Sequence, residues 1–141
     1  MLCKSLTVDC PYQVNAYDES YQFFQLPDNY NDNMYLHYAH KALALAAGGR
    51  ILDVGCGTGR FLSSLRTLDP SAKIYGYDIA SAAVAHAHEY LPAEVSLTDD
   101  LGKVIDWGKF DVVTSLNVIE NVPNVPDHVR SLLQSAQADS F

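Results

Sequence analysis

Two hydrophobic periods alternate along this chain. Apolar residues recur at helical spacing through "MYLHYAHKALALAAGG" (34–49), a run that stops on Gly48 and Gly49. An apolar stretch at 50–54 reads as a buried strand, and "RFLSSLRTL" (60–68) returns to helical spacing. The alternation then repeats. "AKIYGYDI" (72–79) predicts a strand ending near Asp78, and "ASAAVAHAHEYL" (80–91) a helix closed by Pro92. "AEVSLT" (93–98) predicts a weaker strand and "FDVVTSLNVI" (110–119) a strong, β-branched one. "PDHVRSLLQSAQ" (126–137) predicts a last helix, N-capped by Asp127 behind Pro126.

Short units of strand and helix in turn predict an α/β fold. The expected architecture is a Rossmann-like, doubly wound parallel sheet with helices on both faces, in three layers. Residues 1–33 break the pattern: they are aromatic and acidic, with Asn, Asp and Pro punctuation in "LPDNYNDN". They are expected to form loops and one short helix around Tyr17–Phe24, a cap on a core running from 34 to 141. There is no internal repeat or low-complexity tract.

At 141 residues the chain has the length of one domain, and 48% apolar with 18% charged residues marks it as globular. The net charge of −8, without a Lys/Arg cluster, disfavours nucleic acid and anionic membranes as partners. Cys3, Cys10 and Cys56 are odd in number and form no CxxC pair, so no disulfide framework is expected. The N-terminus has no apolar run of the signal-peptide kind, and no window reaches the ~18 apolar residues of a membrane span. These features predict a reduced, cytoplasmic domain.

Chemistry concentrates in "ILDVGCGTGR" (51–60). The loop after the first strand of such a sheet turns sharply and lets backbone approach a ligand, and Gly55, Gly57 and Gly59 supply that freedom. Asp78, 19 residues past Gly59 at the end of the next strand, is placed to accept hydrogen bonds from ribose hydroxyls. A dinucleotide fingerprint counted from Gly55 needs glycine at position 60, which holds Arg60, so an NAD-linked oxidoreductase fits poorly. Asp53 stands two residues before the first glycine, where it would repel a pyrophosphate but could hold an ammonium group, directly or through water. A ligand with ribose at one end and an amino acid at the other meets both demands. S-adenosylmethionine is such a ligand.

The stretch "ILDVGCGTG" resembles the first motif of class I S-adenosylmethionine-dependent methyltransferases, and "IYGYDIA" resembles their second. "FDVVTSLNVIENVP" is similar to the fourth strand and following loop of small-molecule methyltransferases of the ubiquinone-biosynthesis type. The joint match runs from about residue 34 to 130. The resemblance implies cofactor contacts from Gly55, Cys56 and Gly57, Asp53 at the amino group, Asp78 at the ribose and Ile79 on the adenine. It also implies an acid near the adenine amine, either Asp99 or Asp100, and closure over the cofactor by Leu116 and Asn117. Where relatives often read Glu-His-Val, this chain has Glu120-Asn121-Val122, which removes a candidate base. No catalytic residue is assigned.

Other constellations carry less. His86 and His88 lie two apart on a helix and face different ways, and His37 with His40 lacks a third ligand, so no metal is expected. The aromatic N-terminal segment offers Tyr17 and Tyr21 as lid residues over a cofactor and an apolar substrate. The Asn/Asp-Pro-Pro-aromatic motif of nucleic-acid amino methyltransferases is absent, since that place reads "SLNVIE".

The family fold has seven strands, of which four are found here, so the sheet is expected to be incomplete at its C-terminal side. Its fourth strand would be an exposed edge, on which a second copy could pair as a homodimer. The leading expectation is methyl transfer to a small-molecule acceptor. The rival is a truncated, inactive module that binds the cofactor or dimerises.

Overall fold

A computed structural model describes residues 32–137. Tyr17, Tyr21 and the expected Tyr17–Phe24 helix lie outside the described residues. The elements are α1 (Asp32–Ala46), β1 (Arg50–Val54), α2 (Arg60–Leu68), β2 (Lys73–Tyr77), α3 (Ser81–Tyr90), β3 (Ser96–Thr98), α4 (Leu101–Trp107), β4 (Val112–Thr114) and α5 (Val125–Ser135). The four strands form one sheet in the order β3-β2-β1-β4, every neighbouring pair parallel. This is the doubly wound arrangement expected from the alternation. Among the described residues, no helix is long and apolar enough to cross a membrane.

Alternate residues of each strand feed two cores. On one face Ile51, Ile74 and Leu97 pack with Ala39 and Ala42 of α1, Leu62 and Leu65 of α2, and Val84 and Ala87 of α3. On the other face Leu52, Tyr77 and Phe110 pack with Val104 of α4. β1 is central and buried on both faces, so neighbours that point to opposite faces, Ile51 and Leu52, are both apolar and fully buried.

The amino ends of β1 and β4 are clamped together. The Arg50 guanidinium lies 4.7 Å from the ring centroids of both Tyr75 and Phe110 and donates to the Trp107 and Lys109 carbonyls. The Arg50 N–H donates to Asp111 Oδ2 at 2.7 Å, and a Cβ on Gly49 would overlap that carboxylate. Glycine at 49 therefore permits the close approach that sets the β1–β4 register of Ile51 with Val112.

Two local expectations are corrected and one element is added. The β-branched run 110–119 is a strand only over Val112–Thr114. Past Thr114 the chain leaves the sheet, with Asn117 at φ +58° and a 3₁₀ turn at Ile119–Asn121. The cap of α5 is Asn124, whose Oδ1 accepts from the Asp127 N–H at 3.1 Å; Asp127 lies inside the first turn. Helix α4, which no periodic signal marked, comes after β3 and is capped by Asp100, with Oδ1 accepting from the Gly102 N–H at 2.8 Å.

Beyond the four strands, Phe110 and Ala136 form a parallel bridge. The Phe110 N–H donates to Ser135 O and the Gln137 N–H to Phe110 O. The chain after α5 thus returns alongside the amino end of β4.

Candidate functional site

The carboxyl ends of β1, β2 and β4 converge on the loop 55–59. Gly55, Gly57 and Gly59 have φ of +83°, +51° and +77°, a left-handed backbone that side chains rarely adopt. The N–H groups of Gly55 and Cys56 both donate to the Tyr77 carbonyl, at 2.7 and 3.0 Å, fastening the loop to the end of β2. The Gly59 N–H returns to Cys56 O, and the Tyr90 hydroxyl donates to Thr58 O from the end of α3.

The three glycines do different work. A Cβ on Gly59 would come within 2.5 Å of Leu91 Cδ1, so this position serves helix packing. A Cβ on Gly55 would overlap Val118 Cγ2. At Gly57 nothing lies within 4 Å, and the loop faces open space.

Asp78 joins the loop to the start of α3. Its Oδ2 accepts from the Gly57 N–H at 2.7 Å and its Oδ1 from the Ala80 N–H at 2.9 Å, just ahead of that helix. One carboxylate therefore orients both the glycine loop and the entry to the next helix, with bonds of the stronger, charge-assisted kind.

Asp53 is only 2% exposed. Burial pushes its carboxyl up to about 7; the Thr114 hydroxyl bond at 2.7 Å opposes the rise and the Asp78 charge adds to it. Thr114 is thus the protein partner of this buried acid. No signal in "VVTS" marks Thr114, because its partner lies 61 positions away. Burial first, then the charges of Asp53 and Asp78, push the Cys56 thiol well up, so it stays neutral within the core of the α1–α3 face.

The remaining candidates separate by environment. Ile79 is half-buried beside Asp78. Asp99 is exposed, whereas Asp100 is engaged as the α4 cap. Leu116 packs against the core of the α1–α3 face, and Asn117 is exposed on the turn that brings Val118 onto Gly55. Together these residues ring the carboxyl end of the sheet. A hollow of about 270 Å³ near Arg66, Lys73, Glu94 and Ser96 lies at the amino ends of β2 and β3, away from this cluster.

A parallel sheet with a glycine loop after β1 and an acid after β2 defines the class: a Rossmann-like nucleoside-binding domain. The chain belongs to the methyltransferase-domain family, whose model matches residues 28–139. It is similar to the ubiquinone biosynthesis O-methyltransferase of Glaesserella parasuis serovar 5 (strain SH0165), 30% identical over 67% of this chain and 43% of that protein. The enzyme of that name from Azoarcus sp. (strain BH72) is 35% identical over 64% of this chain and 41% of its own length. The chain thus spans about two fifths of the curated relatives it matches. Among solved structures, an amino pentose methyltransferase from Micromonospora echinaspora with SAM bound superposes at a TM-score of 0.61. It is 26% identical, covering 92% of this chain and 54% of that one.

Proposed function

We propose that this domain binds S-adenosylmethionine at the carboxyl ends of β1, β2 and β4 and takes part in methyl transfer to a small-molecule acceptor. The observation that carries the reading is the Gly57–Asp78 bond, which unites the glycine loop and the ribose acid in one unit beside the buried Asp53. The residues present fit the cofactor. Gly57 leaves the cradle open. Asp53 is a desolvated carboxyl whose charged form an ammonium group would stabilise.

In this reading Asp78 takes the ribose hydroxyls and Ile79 lies along the adenine. Asp99 meets the adenine amine, because Asp100 is committed to its helix cap. Gly55, Cys56 and Gly57 run beneath the amino-acid portion, with Leu116 and Asn117 closing over it. The cofactor supplies an activated methyl group on a cationic sulfur. The protein's part is alignment, which can supply most of the rate effect. Asn121 supplies no base: its amide is exposed and donates to Asn117 O at 3.5 Å.

A small acceptor suits the charge. Asp78 and Asp99 at the mouth and a net charge of −8 favour a cationic cofactor and oppose a polyanionic substrate. The names of the relatives, ubiquinone biosynthesis O-methyltransferases, support an acceptor of that kind. A cytoplasmic site of action belongs to the same reading. The same reading pairs two copies along Val112–Thr114 of β4 as a homodimer, and sedimentation velocity tests it.

Calorimetry with S-adenosylmethionine is the first test, and no heat of binding at millimolar ligand overturns the proposal. Transfer of a radiolabelled methyl group to phenolic and sugar acceptors then tests activity.

A further inference from the structure

The geometry points to His128 as a positioning residue that, through Ser115, holds the turn after β4 against the glycine loop. The inference deepens the proposed cofactor site and rests on that reading. It starts from the inverted character of α5. This helix turns Val125, Val129 and Leu133 outward, at 39%, 40% and 48% exposure, and buries His128, Ser131 and Ser135. Ser131 and Ser135 turn their hydroxyls back onto the helix, at Asp127 O and Ser131 O, so the bonds that run from α5 to the β4 segment are those of the backbone, Lys109 and His128.

Those bonds fall at two ends. At the amino end of β4, Phe110 pairs with Ser135 and Gln137 through the backbone, and Lys109 Nζ donates to Gln134 O. At the carboxyl end, the described link is Ser115 Oγ to His128 Nε2 at 3.0 Å. His128 is 3% exposed, and burial pushes its pKa below the usual histidine range, so a neutral imidazole faces the hydroxyl. The tautomer decides which partner donates.

Ser115 starts the segment that lines the site. Leu116 packs on the core, Asn117 adopts φ +58°, and Val118 then stands where a Cβ on Gly55 would sit. Releasing Ser115 frees a strained turn, and the displacement reaches Gly55 through direct contact with Val118. A site whose competent arrangement is only partly populated binds more weakly in proportion to that fraction.

The test uses the full 141-residue chain with S115A, H128L, H128Q and the S115A/H128L double variant. Two quantities are read: the calorimetric Kd for S-adenosylhomocysteine, and the amide NMR positions of Gly55 and Gly57 in the protein alone. S115A and H128L should each weaken binding about fivefold, the worth of one net hydrogen bond. The double variant should lose no more than either single, since both remove one interaction. H128Q, with a nitrogen able to reach Ser115, should restore most of the affinity. The Gly55 and Gly57 signals should move in S115A and H128L and return in H128Q. Folded variants with unmoved glycine signals overturn the inference, as do losses that add. If H128L does not fold, S115A and H128Q decide the matter alone. A wild-type chain that binds no cofactor defeats the proposed function, and the glycine signals still decide the role of His128.

Discussion

Adding a methyl group at Gly55 and, separately, at Gly57 distinguishes what holds the loop from what the loop holds. Both residues are left-handed, at φ +83° and +51°, and alanine there carries about 1–2 kcal/mol of backbone strain in either case. The difference is room. At Gly55 the new Cβ would overlap Val118 Cγ2 and lie 3.2 Å from Cγ1 and 3.3 Å from Cβ. Valine is stiff about χ1 and cannot swing aside, so overpacking adds about 1–3 kcal/mol. At Gly57 no atom lies within 4 Å and nothing is added.

The expected cost is therefore about 2–5 kcal/mol for G55A against about 1–2 kcal/mol for G57A. Against a domain stability of about 5–15 kcal/mol, the first is a large loss. Urea unfolding reads it as a lower midpoint at unchanged slope. Calorimetry with S-adenosylmethionine should show the opposite preference: G57A stays folded but binds at least about tenfold more weakly, because its methyl group fills the open cradle. G55A as stable as G57A would refute the contact between Val118 and the loop. Unchanged affinity in G57A would refute the open face of Gly57 as the place where the cofactor lies.

Asp53 should give stability a pH dependence. Folding raises its pKa from 3.8 to about 7, so its contribution is full below pH 3.8 and is lost as pH rises through 7. D53N should therefore gain stability relative to wild type between pH 4 and pH 8, by up to about 4 kcal/mol, and a pH-independent difference in urea midpoints would contradict this. Asp99 and Asp100 should separate in kind. D100A costs about 1 kcal/mol in thermal unfolding through its lost cap, whereas D99A leaves the melting temperature in place and weakens S-adenosylmethionine binding. N124A should cost α5 a similar ~1 kcal/mol, while D127A costs less; equal losses would argue for Asp127 as the cap.

What could be read in advance divides along a physical line. β1 at 50–54 and α2 at 60–68 fall where the pattern puts them, because β1 lies between Gly49 and Gly55, α2 between Gly59 and Asp69-Pro70, and the period of each is set by the core it faces. Helix α4 escaped because it is seven residues long and carries Gly102 in its first turn; its evidence was a capping acid, not a periodic face. β4 was overextended because β-branched residues score as strand wherever they stand. The sheet ends at Thr114, which pairs with Asp53 of β1, and that limit belongs to the pairing.

The same line runs through the site. Glycine spacing and Asp78 were legible, since loop conformation is local and the acid's place is set by the length of one βα unit. Thr114, Val118 and the Ser115–His128 bond were not, because each acts on a partner in another element. Yet these partners decide how firmly the legible residues are held. Asp78 already accepts the Gly57 and Ala80 N–H groups, so its carboxylate is fixed by backbone before any ligand bond forms. A carboxylate so oriented loses little freedom on binding, and the rigidity lies in β2 and α3 rather than in the glycines. The glycines let the chain make the turn, and the acid at the next strand end keeps it there.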